Sequence, residues 1–189
     1  YNFAGIELVL PTTVFDTRYE LDLDGTEVQL IYVGPCHQVG DTIIHVPQEG
    51  VVFAGDVVFR QCTPMGWTGS YEKWFQCLDL ITQLNPKVIV PGHGPLCGLE
   101  GINELKEYLQ YVRGESRKCF EDGLPSLEDA KRIEFGPYGE WRAPARLYMN
   151  VERAYRELRS EPSDAPWDTA ATFDAIYEVA KAKGIDVEF

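Results

Sequence analysis

The sequence predicts a mixed α/β (α+β) fold, and three observations support this class. Alternating polar and apolar residues on either side of Asp24-Gly25 indicate a β-hairpin. A helical pattern over residues 71–84 lies between two short β-type runs, as expected when a helix covers one face of a sheet. From Leu99 onward the apolar residues recur at helical spacing. We therefore expect residues 1–98 to form a β/α portion and residues 99–189 a helical extension that packs on the same domain.

The β/α portion is predicted to begin with paired strands. Residues 20–24 and 27–33 flank the Asp24-Gly25 turn, and this pattern favours an antiparallel pair. A second pair is predicted for Thr42–Val46 and Val51–Ala54, because Pro, Gln, Glu and Gly separate the two runs. Residues 6–10 form a further short apolar run in this β-rich part.

Helices are predicted wherever apolar residues lie three or four positions apart. The first covers 71–84, ends at Asn85-Pro86 and precedes a buried strand at 87–90. The Ser126–Asp129 stretch resembles a capping box for a short helix, although its acid is Asp. The longer helical stretches of the extension are 99–121, with Gly123 as its C-cap, 143–160 and 168–183.

Composition narrows the classes of partner. The 189 residues carry a net charge of −13, from 30 acids and 17 bases, which repels nucleic acid and anionic membrane surfaces. No apolar run approaches the roughly 20 residues of a membrane-spanning helix. The five cysteines show no C-x-x-C spacing, so we expect free thiols and a cytoplasmic location. Without an initiator Met or a signal sequence, Tyr1 is expected to be an internal start.

Three short segments each carry one side chain that could bind a metal. His37 lies in Gly-Pro-Cys-His-Gln-Val-Gly-Asp, Asp56 follows Val-Phe-Ala-Gly, and His93 lies in Val-Pro-Gly-His-Gly-Pro. Each follows an apolar β-type run, and loops at strand ends are where a rigid scaffold presents functional groups. Gly55 is expected to let the backbone turn so that the Asp56 carboxylate points off the sheet. The Gly residues around His93 also fit a tight turn with positive φ.

Imidazole nitrogen and carboxylate oxygen favour zinc, with iron and manganese as alternatives. Such a metal lowers the pKa of bound water and polarises a scissile carbonyl or ester. Whether His37, Asp56 and His93 share one metal does not follow from their spacing. His45 alternates within a predicted strand, which favours a strand-face position over a ligand role. Trp67 and Tyr71 either line a pocket beside Asp56 or, as the favoured alternative, anchor a loop on the sheet.

These segments, together with Thr63–Trp67 and the Gly136–Trp141 stretch, resemble the metallo-β-lactamase superfamily of metal-dependent hydrolases. The resemblance is greatest to the large bacterial group with a helical C-terminal extension, and it runs through nearly the whole chain. It implies half of an αββα sandwich followed by that extension. It also implies that His37 is the third histidine of a first metal, Asp56 the acid bridging both metals, and His93 the last histidine of the second.

In that superfamily the remaining ligands come from an H-x-H-x-D-H motif, which this sequence does not contain. The resemblance therefore implies a hydrolase of esters, thioesters, lactones or amides that is incomplete and inactive alone. An exposed apolar sheet face would then favour a homodimer or a complementing N-terminal half. Two alternatives stay open: a truncated, non-catalytic oligomeric binding or interaction protein, and a single-metal hydrolase that borrows ligands from a second copy.

Overall fold

A computed structural model describes residues 3–187, and it contains one five-stranded sheet with helices. The strands follow one another in the order of the chain. The first four are antiparallel, and the fifth pairs parallel to the fourth after a helical crossover. The predicted mixed α/β class is confirmed. The strands are β1 Arg18–Leu23, β2 Thr26–Tyr32, β3 Thr42–Val46, β4 Val51–Phe59 and β5 Val88–His93.

Five α-helices lie in the described chain, and all but the first follow the last strand. Within residues 3–187, none of the helices is both long and apolar enough to cross a bilayer. The division of the chain at residue 98 stays a prediction. The helices are α1 Tyr71–Leu84, α2 Leu99–Glu121, α3 Ser126–Arg132, α4 Leu147–Leu158 and α5 Thr169–Lys183.

Local sequence explains where β1, β2 and α1 begin and end. Asp24 and Gly25 both adopt positive φ, so the two-residue turn follows the twist of the strands that it joins. Ser70 caps α1 by accepting a hydrogen bond from the Lys73 N–H. Asn85 ends the helix in the left-handed conformation. The hairpin turn and both ends of α1 agree with the prediction.

Two local predictions were wrong in detail. Pro125, not Ser126, is the N-cap of α3, and the Ser126 hydroxyl donates to Glu152 instead of capping a backbone N–H. The helix predicted over 143–160 begins with a 3-10 turn, and its α-helical part is α4. In addition, the apolar run at 6–10 forms no strand and its large apolar side chains are exposed.

The two faces of the sheet differ in what covers them. Ile43, Val52 and Ile89 point to one face and are fully buried, with helices α1 and α2 packed over this side at β4. The other face is open: Ile44 pairs with Phe53 across β3 and β4, and Phe53 is 44% exposed. One helical layer on one sheet is the arrangement expected for half of an αββα sandwich.

Candidate metal centre

Asp56 lies between two histidines, and each ring meets a different oxygen of its carboxylate. His37 Nε2 is 3.7 Å from Oδ2, and His93 Nε2 is 3.4 Å from Oδ1. The structure therefore brings together all three residues that the sequence singled out. Two imidazoles and one carboxylate meet around a single acidic group, although they are up to 56 positions apart in the chain, counted from His37 to His93.

Phe59 provides an apolar wall behind both imidazoles. Its ring stacks on His93 with centroids 4.9 Å apart and planes 11° from parallel, and it contacts His37 in a tilted arrangement at 6.1 Å. Phe59 is buried at the end of β4, so its position is fixed by the core. This packing restricts the rotation of the two imidazoles and holds them toward Asp56.

Asp41 organises the loop that carries His37. Its carboxylate accepts hydrogen bonds from three successive backbone N–H groups, at 2.8 Å from Cys36, 2.6 Å from His37 and 3.0 Å from Gln38. Sequence reasoning assigned no role to Asp41. An acid four residues after a histidine in a Gly- and Pro-rich turn is the signal that could have indicated it, because Asp readily satisfies backbone donors in turns.

The sequence predicted that Asp56 lies just beyond the end of a strand, and this was wrong. Asp56 lies inside β4, which continues to Phe59. The pairing of β4 with β5 shifts register on both sides of Gly55, and Gly55 itself has a φ of 53°. The positive φ agrees with the turn expected at Gly55, but this turn lies within β4 and does not end it. Across the sheet, a side chain at Gly92 would overlap the Asp56 carboxylate. Position 92 must stay free of a Cβ for the carboxylate to lie between the histidines.

His93 ends β5, and its carbonyl accepts a hydrogen bond from the Arg60 N–H at 2.9 Å. Gly94 follows with a φ of 94°, and a Cβ there would overlap the Arg60 carbonyl. The tight turn predicted for Gly-His-Gly thus depends on Gly94, while Gly92 leaves room for the Asp56 carboxylate. The His93 side chain is 44% exposed, against 14% for His37.

Burial lowers the pKa of His37, and this is the largest influence on it. Asp56 and Asp41 act in the opposite direction, because their negative charges favour the protonated ring. The net effect favours neutral imidazole, which is the form that binds metals. The direction of the pKa shift at His37 is therefore the one that suits a metal ligand.

His45 lies away from this arrangement, on the helix-covered face of the sheet. It is buried in β3, where its Nδ1 is 3.1 Å from Gln29 Oε1 of β2. Its strand-face position agrees with the prediction, and burial again is the main cause that lowers its pKa. Tyr71 is fully buried and donates its hydroxyl to the Asn150 carbonyl, so it anchors α1 rather than lining a pocket beside Asp56.

Stability is expected to fall as the pH is lowered from about 7 to about 5.5, because two histidines have depressed pKa values. The unfolded chain binds protons at His37 and His45 more readily than the folded chain does, so acid favours unfolding. Urea unfolding at several pH values measures this change. The His45→Gln variant should show a smaller loss across the same range. A free energy of unfolding that rises on acidification would contradict the prediction.

Comparison with known proteins identifies the family to which the first half of the chain is similar. The model of the metallo-beta-lactamase superfamily matches residues 3–93, a range that includes His37, Asp56 and His93. This match assigns residues 3–93 to the metallo-β-lactamase superfamily. It is 28% identical over 116 residues to the metallo-beta-lactamase type 2 of Bacteroides fragilis, covering 58% of this chain and 47% of the relative. It is 33% identical over 81 residues to the 2,4-dinitroanisole O-demethylase subunit alpha of Nocardioides sp. (strain JS1661), covering 40% of this chain and 24% of that one.

Two solved structures share this fold. A metallo-beta-lactamase family protein from Thermus thermophilus superposes with a TM-score of 0.59 at 19% identity. The superposition covers 77% of this chain and 48% of the Thermus protein. The sec-alkylsulfatase Pisa1 from Pseudomonas sp. gives a TM-score of 0.62 at 15% identity. This superposition covers 94% of this chain and 34% of Pisa1. The chain spans about half or less of the length of these relatives.

Members of the metallo-β-lactamase superfamily usually bind divalent metals, which requires several donor side chains around each ion. Across residues 3–187, no three His, Cys, Asp or Glu side chains form a group that could hold one metal ion together. The donors instead form two imidazole–carboxylate pairs that share Asp56. Their chemistry fits zinc, iron or manganese. Because the two pairs share one carboxylate, each pair would offer two donors to an ion.

Proposed function

We propose that this chain supplies part of the metal centre of a metallo-β-lactamase superfamily hydrolase. His37 would bind the first metal, His93 the second, and Asp56 would bridge the two. One observation carries this proposal: the two imidazoles face opposite oxygens of the same carboxylate. A carboxylate used in this way serves two positions, whereas three ligands of one metal would all face a common centre.

A bound divalent metal, for which we propose zinc, would activate water and polarise a scissile carbonyl or ester. The residues of this chain would hold the metals and fix their spacing. Phe59 packs against both imidazoles, and burial lowers the pKa of His37, which favours its neutral form. We propose a small-molecule ester, thioester, lactone or amide as the substrate. The net charge of −13 disfavours highly anionic substrates.

Hydrolysis requires more metal ligands than residues 3–187 bring together. The superfamily's H-x-H-x-D-H motif is absent from the sequence, so we propose that a second αβ layer supplies those donors. Until that layer is present, each metal has only two ligands from this chain, fewer than the three protein ligands of a catalytic zinc site. Metal binding by the isolated chain is accordingly expected to be weak and turnover absent.

Titration with zinc, followed by NMR of the three histidine rings, tests the proposed ligands. The resonances of His37 and His93 should both shift as zinc is added, whereas those of His45 should not, because its ring pairs with Gln29 inside the sheet. His37→Ala should leave the response of His93 in place, and the reverse should also hold. Shifts at His45 alone, or at none of the three rings, would contradict the proposal.

We propose that the open sheet face is the surface on which the second αβ layer packs. Its apolar residues lie in register across the sheet: Tyr19 opposes Leu30, Leu30 opposes Ile44, and Ile44 opposes Phe53. A transverse apolar row of this kind is normally covered in a water-soluble domain. A layer with an apolar sheet face suits this row better than a second copy of the chain, because a second copy would bring two net charges of −13 together.

The isolated chain is therefore expected to bind a hydrophobic dye such as ANS on this face. Phe53→Glu should weaken dye binding several-fold, because Phe53 is 44% exposed in the apolar row. Tyr177→Glu is the matched control, since Tyr177 is 50% exposed but lies on α5. Sedimentation distinguishes the occupants: a monomer that binds dye supports the second layer, whereas a dimer that Phe53→Glu dissociates supports self-association.

The same open face favours one further candidate, a non-catalytic interaction protein. In that case the apolar row would itself be the functional surface, and the metal ligands would be vestigial. Metal content separates the two candidates. Stoichiometric metal in protein purified together with its natural partner supports the hydrolase, and metal-free protein in a stable complex supports the interaction role.

A further inference from the structure

We infer that Arg153 of α4 is a positioning residue for the His37 loop. It is 3% exposed, so the guanidinium lies inside the protein. The inference rests on the proposed function, because it matters for chemistry only if His37 is a metal ligand. It goes further in one respect: it assigns part of the metal centre to the helical region that follows the family match, which ends at residue 93.

The guanidinium joins two loops that meet beside His37. Nη1 donates to the Cys36 carbonyl at 2.9 Å, and Nη2 donates to the Thr68 carbonyl at 2.6 Å. The second loop in turn holds the first, since the Trp67 N–H donates to the His37 carbonyl at 2.9 Å. The carbonyls on both sides of the His37 Cα are thus bonded, one directly to Arg153 and the other to a loop that Arg153 holds.

The close packing around the guanidinium supports the same conclusion. Arg153 lies over the Trp74 ring at 5.1 Å, and a Cβ at Gly66 would overlap both the guanidinium and the ring. A Cβ at Gly69 would overlap the Pro35 carbonyl. At Gly69 the second loop therefore meets the backbone of Pro35 and Cys36 directly. Movement of the guanidinium would be passed to Cys36 and His37.

The energetic cost of this arrangement argues against a role in stability alone. Within residues 3–187, no carboxylate forms an ion pair with Arg153, and burial lowers its pKa although the group stays cationic. Burying a charge is costly unless its hydrogen bonds are satisfied, and an apolar side chain of similar size is often no less stabilising. What the planar guanidinium adds is two donors in a fixed geometry, which define the distance between the two loops.

The test compares Arg153→Met with Arg156→Met in the 189-residue chain. Arg156 lies one turn along α4 and also donates to two backbone carbonyls, those of Ala165 and Pro166. Its ion pairs are with Glu152 and Glu161 and do not involve the His37 loop. Amide hydrogen exchange at residues 36–38 and the NMR resonances of the His37 ring are measured without metal. Zinc affinity is then measured by titration.

Arg153→Met is expected to speed exchange at residues 36–38 at least about tenfold and to shift the His37 ring resonances, while those of His93 stay in place. Zinc affinity should fall by about 10–100-fold, the usual effect of removing a residue that orients a ligand. Arg153→Lys keeps the charge but lacks the fork, so it should give an intermediate result in every measurement. If Arg153→Met does not fold, Arg153→Lys is compared with wild type by the same criteria.

Unchanged exchange and ring resonances in a folded variant would overturn the inference, as would equal changes in Arg156→Met. The metal-free measurements keep this result separate from the proposed function. A wild-type chain that binds no zinc would remove the proposed ligand role, whereas faster exchange at residues 36–38 in Arg153→Met alone would still establish that Arg153 positions the loop.

Discussion

Replacing Asp56 by asparagine is expected to abolish zinc binding at both proposed positions. The substitution keeps the size of the side chain but removes the negative charge that both imidazoles face, at 3.7 Å and 3.4 Å. Because the loss of an orienting neighbour alone costs about 10–100-fold in metal affinity, loss of the shared carboxylate should cost at least about 100-fold. The pKa of His37 should also fall further, since the Asp56 charge normally raises it.

The control for this variant is Asp174→Asn, which removes one exposed carboxylate on α5. It should bind zinc as the wild type does, and circular dichroism should show both variants folded. The single histidine variants sharpen the comparison. If Asp56 is shared, Asp56→Asn should weaken binding more than His37→Ala or His93→Ala, and adding either of these to Asp56→Asn should have little further effect. Wild-type zinc affinity in Asp56→Asn would contradict the bridging role.

Elements that depend on neighbouring residues could be predicted from the sequence. The Asp24-Gly25 turn determines the hairpin by itself, and Ser70 with Asn85 bounds α1 through contacts no more than three residues away. The same locality explains the failure at Ser126. The local pattern predicted that its hydroxyl caps the helix. Instead the hydroxyl contacts Glu152 of α4, a tertiary contact that no local pattern contains.

The candidate site was predicted only in part, for the same physical reason. His37, Asp56 and His93 stand in recognisable segments, and so their types and positions could be read directly. Which carboxylate oxygen each ring meets depends on the register shifts around Gly55 and on the packing of Phe59. Arg153 lies 117 positions from Cys36, and its hydrogen bond exists only because α4 packs beneath the loop. Long-range contacts of this kind have no periodicity in the sequence.

The backbone at Gly94 gives the largest expected effect on stability. Gly94→Ala places a Cβ into the Arg60 carbonyl, and the residue must keep a φ of 94°, which favours glycine. Overlap and backbone strain together should lower the free energy of unfolding by about 3 kcal/mol or more. That is a large part of the roughly 5–15 kcal/mol that usually stabilises a folded domain. Chemical denaturation measures the loss.

Gly114→Ala is the matched control, because it makes the same chemical change in the middle of α2. Apart from the adjacent residues and the local helix backbone, no atom lies within 4 Å of a Cβ built at Gly114. Since alanine favours helix over glycine, this variant should be more stable than wild type by about 0.5–1 kcal/mol. Changes of opposite sign in the free energy of unfolding of the two variants would show that the strain belongs to the turn after His93.

Where folded Gly94→Ala can be recovered, the His93 ring should be displaced from Asp56, and its resonances should no longer respond to zinc. A Gly94→Ala chain as stable as wild type would mean that the turn relaxes without cost, and this would contradict the prediction.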